Sequence, residues 1–173
     1  MAVLTGHKIL KEMEIGNIII TPFNRSHIGP NSYDCCLAPT LYIYYPGRIL
    51  DLLVDDEPDE VVEMTSSGYT VRPGFFYLGK TLEWTETYNL VPYIDGRSSV
   101  GRKGLRIHET AGRGDNGFKG NWTLELDCVV PVRIYPNIRI AQLTYHTKEG
   151  ENLFYEGRYQ NSTEIVTSRL WKG

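Results

Sequence analysis

The sequence predicts a mainly β fold, a barrel or sandwich of short strands introduced by one short helix. Short runs rich in β-branched and aromatic residues recur along its 173 residues. Proline, which cannot donate to a strand ladder, stands in the connectors between them. Apolar residues at helical spacing precede the first of these runs.

Taken in order, residues 5–14 carry Ile9, Leu10 and Met13 on one helical face, with Thr5 placed to cap the helix and Gly16 to stop it. Strands are expected over residues 18–21, 41–45, 69–71, 75–80, 90–94, 122–130, 132–134 and 138–145. Pro22, Pro30, Pro46, Pro73, Pro92, Pro131 and Pro136 mark ends or bulges. The acidic run at residues 55–60 and the stretch 147–152 read as solvated loops. The length fits one domain over residues 1–173.

A net charge of -3 and a pI near 5.8 argue against polynucleotide binding, which relies on cations that release counterions from phosphate. A small anion needs only a local positive pocket. Cys35 and Cys36 are adjacent, a poor geometry for pairing with each other, and Cys128 sits within an apolar alternation, so no disulfide framework is expected. Apolar runs fall short of the roughly 18 residues of a membrane span. A cytoplasmic protein without membrane contact is the expectation.

The densest polar constellation is GRSSVGRKG at residues 96–104. Small residues let backbone N–H groups approach oxyanions, hydroxyls add donors, and Arg97 and Arg102 supply charge-assisted bonds. The same composition also suits a solvated turn. A P-loop is excluded because Arg102 and Lys103 stand where Lys and Ser or Thr are required. Residues 108–117, HETAGRGDNG, suggest a tight hairpin that displays backbone groups, with Asp115 able to hold a sugar hydroxyl or a water. In NWTLELDC, residues 121–128, strict alternation puts Trp122, Leu124, Leu126 and Cys128 on one face and Thr123, Glu125 and Asp127 on the other. Alternation alone favours a solvent-facing Glu125; a pocket closed over that face would fit it for proton shuttling. Zinc deaminases need His-x-Glu and Pro-Cys-x-x-Cys, whereas His108 and Glu109 are adjacent and Cys35-Cys36 has no spacer. No zinc is therefore expected in the chemistry, and His7, His27 and His146 read as surface or core residues.

In order and nearly without gaps, GRSSVGRKGL (96–105), His108, TAG (110–112), Asp115, GFKG (117–120) and TLEL (123–126) resemble the core of the dCTP deaminase family. PNSYD (30–34), RPGFFYLG (72–79) and SRL (168–170) extend the resemblance over nearly the whole chain. It implies the distorted β-barrel of the dUTPase-like superfamily, a homotrimer with sites between subunits, and residues 155–173 as a C-terminal tail or lid. The activity implied is zinc-independent deamination of dCTP to dUTP and ammonia, with or without further hydrolysis to dUMP and pyrophosphate. By position, Glu125 matches the catalytic carboxylate, and Ser98 and Arg102 match residues that place water, base and carboxylate. Arg97 and Ser99 match phosphate ligands, Thr110 and Ala111 the base-reading turn, and Asp115 the residue beside the 3′-hydroxyl. Tyr155 and Arg158 match triphosphate contacts from the tail. Magnesium would arrive on the substrate phosphates.

TAG at 110–112, GFKG at 117–120 and Gln142 within IAQL (140–143) resemble the bifunctional deaminase/dUTPase type. Asp115 also matches the water-orienting Asp of dUTPases, so a dUTPase alone, or a non-catalytic nucleotide-sensing barrel, stays open on the residues. Four positions depart from the pattern. Gly114 replaces Ile and Asn116 replaces Pro or Ala, which predicts a looser hairpin and leaves modified cytosines open as substrates. Ser162 replaces a phosphate-binding Gln, and Glu164 replaces Gly. A carboxylate near a triphosphate repels it, so Glu164 is expected to point away or the lid to close differently.

Overall fold

The computed structural model describes residues 2–108 and 110–170; the last three residues of the expected tail, 171–173, lie outside the described residues, as does Glu109. The chain opens with helix α1 (Gly6–Glu14). The Thr5 hydroxyl accepts from the Lys8 N–H at 3.3 Å, and Gly16 leaves the helix at φ +79, a conformation glycine adopts without penalty.

Among the described residues, four antiparallel sheets follow, sharing one apolar cluster. The first runs β1 (Ile18–Thr21), β7 (Trp84–Thr87), β10 (Lys119–Gly120). The second, of five strands, runs β4 (Glu60–Glu63), β3 (Thr40–Tyr44), β6 (Phe76–Lys80), β11 (Thr123–Cys128), β9 (Leu105–Ile107). The third joins β2 (Tyr33–Cys36), β13 (Arg139–His146) and β8 (Val91–Gly96), and the fourth pairs β12 (Val132–Ile134) with β5 (Tyr69–Val71). The cluster takes Ile9 from α1, Leu41 and Ile43 from β3, Ile94 from β8, Leu124 and Leu126 from β11, and Leu143 and Tyr145 from β13, all fully buried. Alternation on β11, β8 and β13 sends their other side chains outward, so each central strand delivers polar groups to a defined outer face. No helix among the described residues is long and apolar enough to cross a membrane.

The expected strands are present with shifted ends. The run at residues 122–130 stops at Cys128, because Val129 turns to donate to the Gly104 carbonyl at 2.9 Å and Val130 faces solvent ahead of Pro131. Strands β2, β4, β7, β9 and β10 were not expected. They are two to four residues long, and YDCC, EVVE and WTET carry polar residues that blur the alternation. The acidic run is less a free loop than expected: Arg48 pairs with Asp56 at 3.2 Å and Asp59 at 2.9 Å, and Glu60 begins β4. Of the expected hairpin at residues 108–117, residues 110–117 do not form a tight hairpin. They run as a loop along β8, with Ile94 N–H donating to the Gly112 carbonyl at 2.7 Å and Gly114 N–H to the Pro92 carbonyl at 2.9 Å.

Candidate active site

β11 is held between β6 and β9, and its alternation buries Leu124, Leu126 and Cys128 while turning Thr123, Glu125 and Asp127 to the opposite face. Over that face lies a cavity of about 640 Å³, walled by Phe76, Leu78, Phe118, Trp122 and Tyr155. The Phe118 ring lies 5.1 Å from that of Trp122 and 6.0 Å from that of Tyr155. An aromatic wall of this kind suits a flat heterocycle, and Asp51, Asp56, Arg113, Asp115 and Asn121 add polar groups to the same lining.

Two of the polar groups lining the cavity, Glu125 and His108, lie against each other. His108 follows β9 at φ 52, with its N–H donating to the Glu125 carbonyl at 2.8 Å. Its imidazole Nδ1 lies 2.6 Å from Glu125 Oε2, and its Nε2 lies 2.8 Å from the Ala111 carbonyl. A carbonyl only accepts, so Nε2 carries a proton. The short Nδ1–Oε2 contact then needs a second proton, on the imidazole or on the carboxyl. Burial opposes a charged His108, but the hydrogen bond and charge of Glu125, with the Ala111 carbonyl, outweigh it and raise its pKa above the ordinary histidine value. The pair thus places a carboxylate and an imidazole of raised pKa side by side at the cavity wall.

Loop 110–118 forms one rim. A Cβ at Gly112 would stand 2.4 Å from the Ile94 carbonyl, and one at Gly114 only 2.3 Å from Trp122 Cη2. The space of the absent side chain at 114 is therefore filled by the indole. The expected looseness is also not found at Asn116, which is buried, accepts the Asn89 N–H at 2.7 Å and donates to the Leu153 carbonyl at 2.6 Å. Asp115 sits exposed at the rim.

The chain after Tyr155 forms the other rim. Tyr155 N–H donates to the Asn116 carbonyl at 2.8 Å, and Gln160 clamps the segment down. Its Nε2 donates to the Gly117 carbonyl at 2.8 Å, and its Oε1 accepts the Lys119 N–H at 2.8 Å. Ser162 lines the cavity, bridged to Gly120, with its hydroxyl turned to the Tyr159 carbonyl at 2.7 Å. Glu164 points away from the cavity, to Lys80 Nζ at 2.9 Å. Arg158 also turns away and donates to the Arg169 carbonyl and, at 2.9 Å, to the Leu170 carbonyl.

Residues 97–102 lie apart. Arg97 precedes the single turn α2 (Ser98–Gly101) and pairs with Asp34 at 3.1 Å, while Ser98, Ser99 and Arg102 are exposed. Asp34 also meets Arg139 at 3.3 Å, and Gln142 stands across the sheet from Asp34 and Asp95. The structure therefore brings Glu125, Ala111, Asp115, Tyr155 and Ser162 to one cavity, and leaves Arg97, Ser98, Ser99, Arg102, Gln142 and Arg158 off its lining. Thr110 lines a smaller adjoining pocket that shares Glu125. Sequence reasoning missed His108, Phe118, Trp122 and Gln160 as site residues. His108 lay inside the family-like segment, but its partner Glu125 is 17 positions away and only the β9–β11 pairing joins them. Among the described residues, the three side chains with metal-ligand spacing are His27, Cys36 and Glu83, and none lines this cavity.

A family model described as dCTP deaminase-like matches residues 3–148. The chain is 46% identical over 171 residues to a "dCTP deaminase, dUMP-forming" of Clostridium beijerinckii, covering 98% of this chain and 97% of that protein. It is 43% identical over 173 residues to a protein of the same name from Leptospira biflexa, again covering 98% and 97%. Among solved structures, the 2′-deoxycytidine 5′-triphosphate deaminase of Agrobacterium tumefaciens superposes with a TM-score of 0.67 at 15% identity, a likeness of fold over 84% of this chain. The chain spans about half of that protein, 48% of its length.

Proposed function

The chain belongs to the dCTP deaminase-like family, and from that premise we propose that it converts dCTP to dUMP in two hydrolytic steps. Water first replaces the 4-amino group, giving dUTP and ammonia; a second water then cleaves between the α- and β-phosphates, giving dUMP and pyrophosphate. The observation that carries this reading is the Glu125–His108 pair at the floor of an aromatic cavity. The printed names of relatives near 45% identity over the full length name both dCTP and dUMP.

His108 holds Glu125 Oε2, which leaves Oε1 for water. As water adds to C4, Glu125 takes its proton and passes it to N3. The hydroxyl proton then follows the same carboxylate to the amino nitrogen, and the C4–N bond breaks to release ammonia. The loop at Thr110 and Ala111 reads the base edge, and Asp115 at the rim serves the sugar and the second water. The substrate enters as its magnesium complex, since that cation favours phosphate oxygens.

In this reading Ser98 and Arg102 place the water, base and carboxylate, and Arg97, Ser99 and Gln142 bind the substrate, for a nucleotide seated in the cavity of a neighbouring subunit of a homotrimeric barrel. Residues 155–173 act as a lid within a single domain spanning residues 1–173, with Tyr155 and Ser162 on its inner side and Arg158 swinging in on closure. The three free buried cysteines fit a reducing, cytoplasmic setting.

The test is to supply chelator-treated protein with magnesium and either dCTP or dUTP and to follow ammonia and pyrophosphate together. Both products from dCTP are expected. Ammonia alone marks a simple deaminase, pyrophosphate from dUTP alone a dUTPase, and neither product removes the proposal.

A further inference from the structure

Away from the cavity, the 3-10 turn Arg25–His27, the end of β2 and the residue before β7 converge. They bring together one imidazole, one thiol and one carboxylate whose ligand atoms all lie within 4.8 Å of one another. From this convergence we propose that His27, Cys36 and Glu83 bind one divalent transition metal of the zinc class, tying the turn to both strands.

The donor set is mixed and mostly buried, with Cys36 at 5% and Glu83 at 2% exposure. Imidazole nitrogen, thiolate sulfur and carboxylate oxygen are the three ligand types zinc takes at about 2.0–2.3 Å, in tetrahedral sites where a water can complete the shell. Closing the cluster onto one ion asks for a small inward movement, which the half-exposed turn carrying His27 can supply.

Two further features favour a cation here. His27 Nδ1 lies 3.1 Å from the Asp34 carbonyl, and since a carbonyl only accepts, the ring proton sits on Nδ1 and the Nε2 lone pair is left for a metal. Glu83 accepts the Cys36 N–H at 2.8 Å but forms no ion pair with Lys or Arg among the described residues. Arg139, across the sheet from Cys36, is engaged by Asp34 at 3.3 Å. A buried carboxylate beside a thiol and without a cationic partner is costly, and a doubly charged ion offsets both. Soft sulfur and imidazole select zinc, cobalt or copper over magnesium, so magnesium on the nucleotide would not compete.

The probe is Co2+ titrated into chelator-stripped, full-length protein, then displaced by Zn2+. One equivalent per chain is expected, with tetrahedral ligand-field absorption, a thiolate-to-cobalt charge-transfer band, and a melting temperature that rises with metal. Cys36→Ser should abolish the charge-transfer band, and His27→Ala, on the half-exposed turn, should weaken binding by about a hundredfold. Glu125→Gln should bind cobalt as the parent does, since the site does not rest on the deaminase reading. Binding well below one equivalent, or undiminished in both Cys36→Ser and His27→Ala, overturns the proposal; should Cys36→Ser fail to fold, the His27→Ala result decides.

Discussion

The cavity over β11 and the turn at residues 97–102 both gather polar residues, and the fold treats them differently. In the cavity, His108 Nδ1 and Glu125 Oε2 stand 2.6 Å apart, with His108 buried and the Glu125 side chain 38% exposed. On the turn, Ser98, Ser99 and Arg102 face solvent and make no side-chain hydrogen bond among the described residues. A buried imidazole can be held within one chain because the neighbouring carboxylate favours its charged form. Of the turn's cations, Arg97 is held by Asp34 at 3.1 Å, while Arg102 stays at the surface, since burying an unpaired cation costs more than leaving it hydrated. The difference teaches that strand pairing fixes a titratable pair at the cavity, whereas the turn keeps its hydroxyls and Arg102 at the surface.

The strongest way to break this contrast is Glu125→Gln. Ammonia release should fall by at least about a hundredfold while nucleotide binding stays measurable by calorimetry; retained turnover would strip the cavity of its chemical role. Arg102→Ala should lose both turnover and affinity. Unfolding and refolding it together with Glu125→Gln chains should restore part of the activity, because mixed assemblies contain sites with both groups intact. No recovery would mean that each chain completes its own site.

His108→Asn sharpens the comparison through stability. Removing a charge-assisted hydrogen bond should cost about 2 kcal/mol in denaturant unfolding. The folded His108 pKa lies above its ordinary value. Its contribution is therefore complete below the unfolded value and is lost as pH rises through the folded one. The gap between parent and variant should close toward alkaline pH, and a constant gap would place its source in packing alone.

Gly114→Ile forces a Cβ to within 2.3 Å of Trp122 and should destabilise by about 1–3 kcal/mol, with Trp122→Val in the same chain recovering most of the loss. Least is expected of Glu164→Gln, whose carboxylate is 73% exposed beside Lys80; thermal melts should shift by less than about 0.5 kcal/mol.

Much of this was legible in the chain. Period-two alternation assigned Leu124 and Leu126 to the core and Glu125 to the opposite face, and Thr5 and Gly16 bounded the helix. Short strands such as Lys119–Gly120 were not legible, since two residues carry no period. The departures at Gly114 and Asn116 read as weakness, yet Trp122 fills the first and the second is a buried staple. Their compensating partners lie 8 to 37 positions away.

By itself the sequence determined the mainly β class, the face on which Glu125 stands, and the ordered set of motifs that marks its family, because these follow from local periodicity and residue chemistry. Only the tertiary structure decided that His108 is the neighbour of Glu125, that Gln160 fastens the last segment, and that His27, Cys36 and Glu83 converge. Such pairings depend on strand register and loop path. Many weak contacts fix these together, and no local stretch of sequence records them.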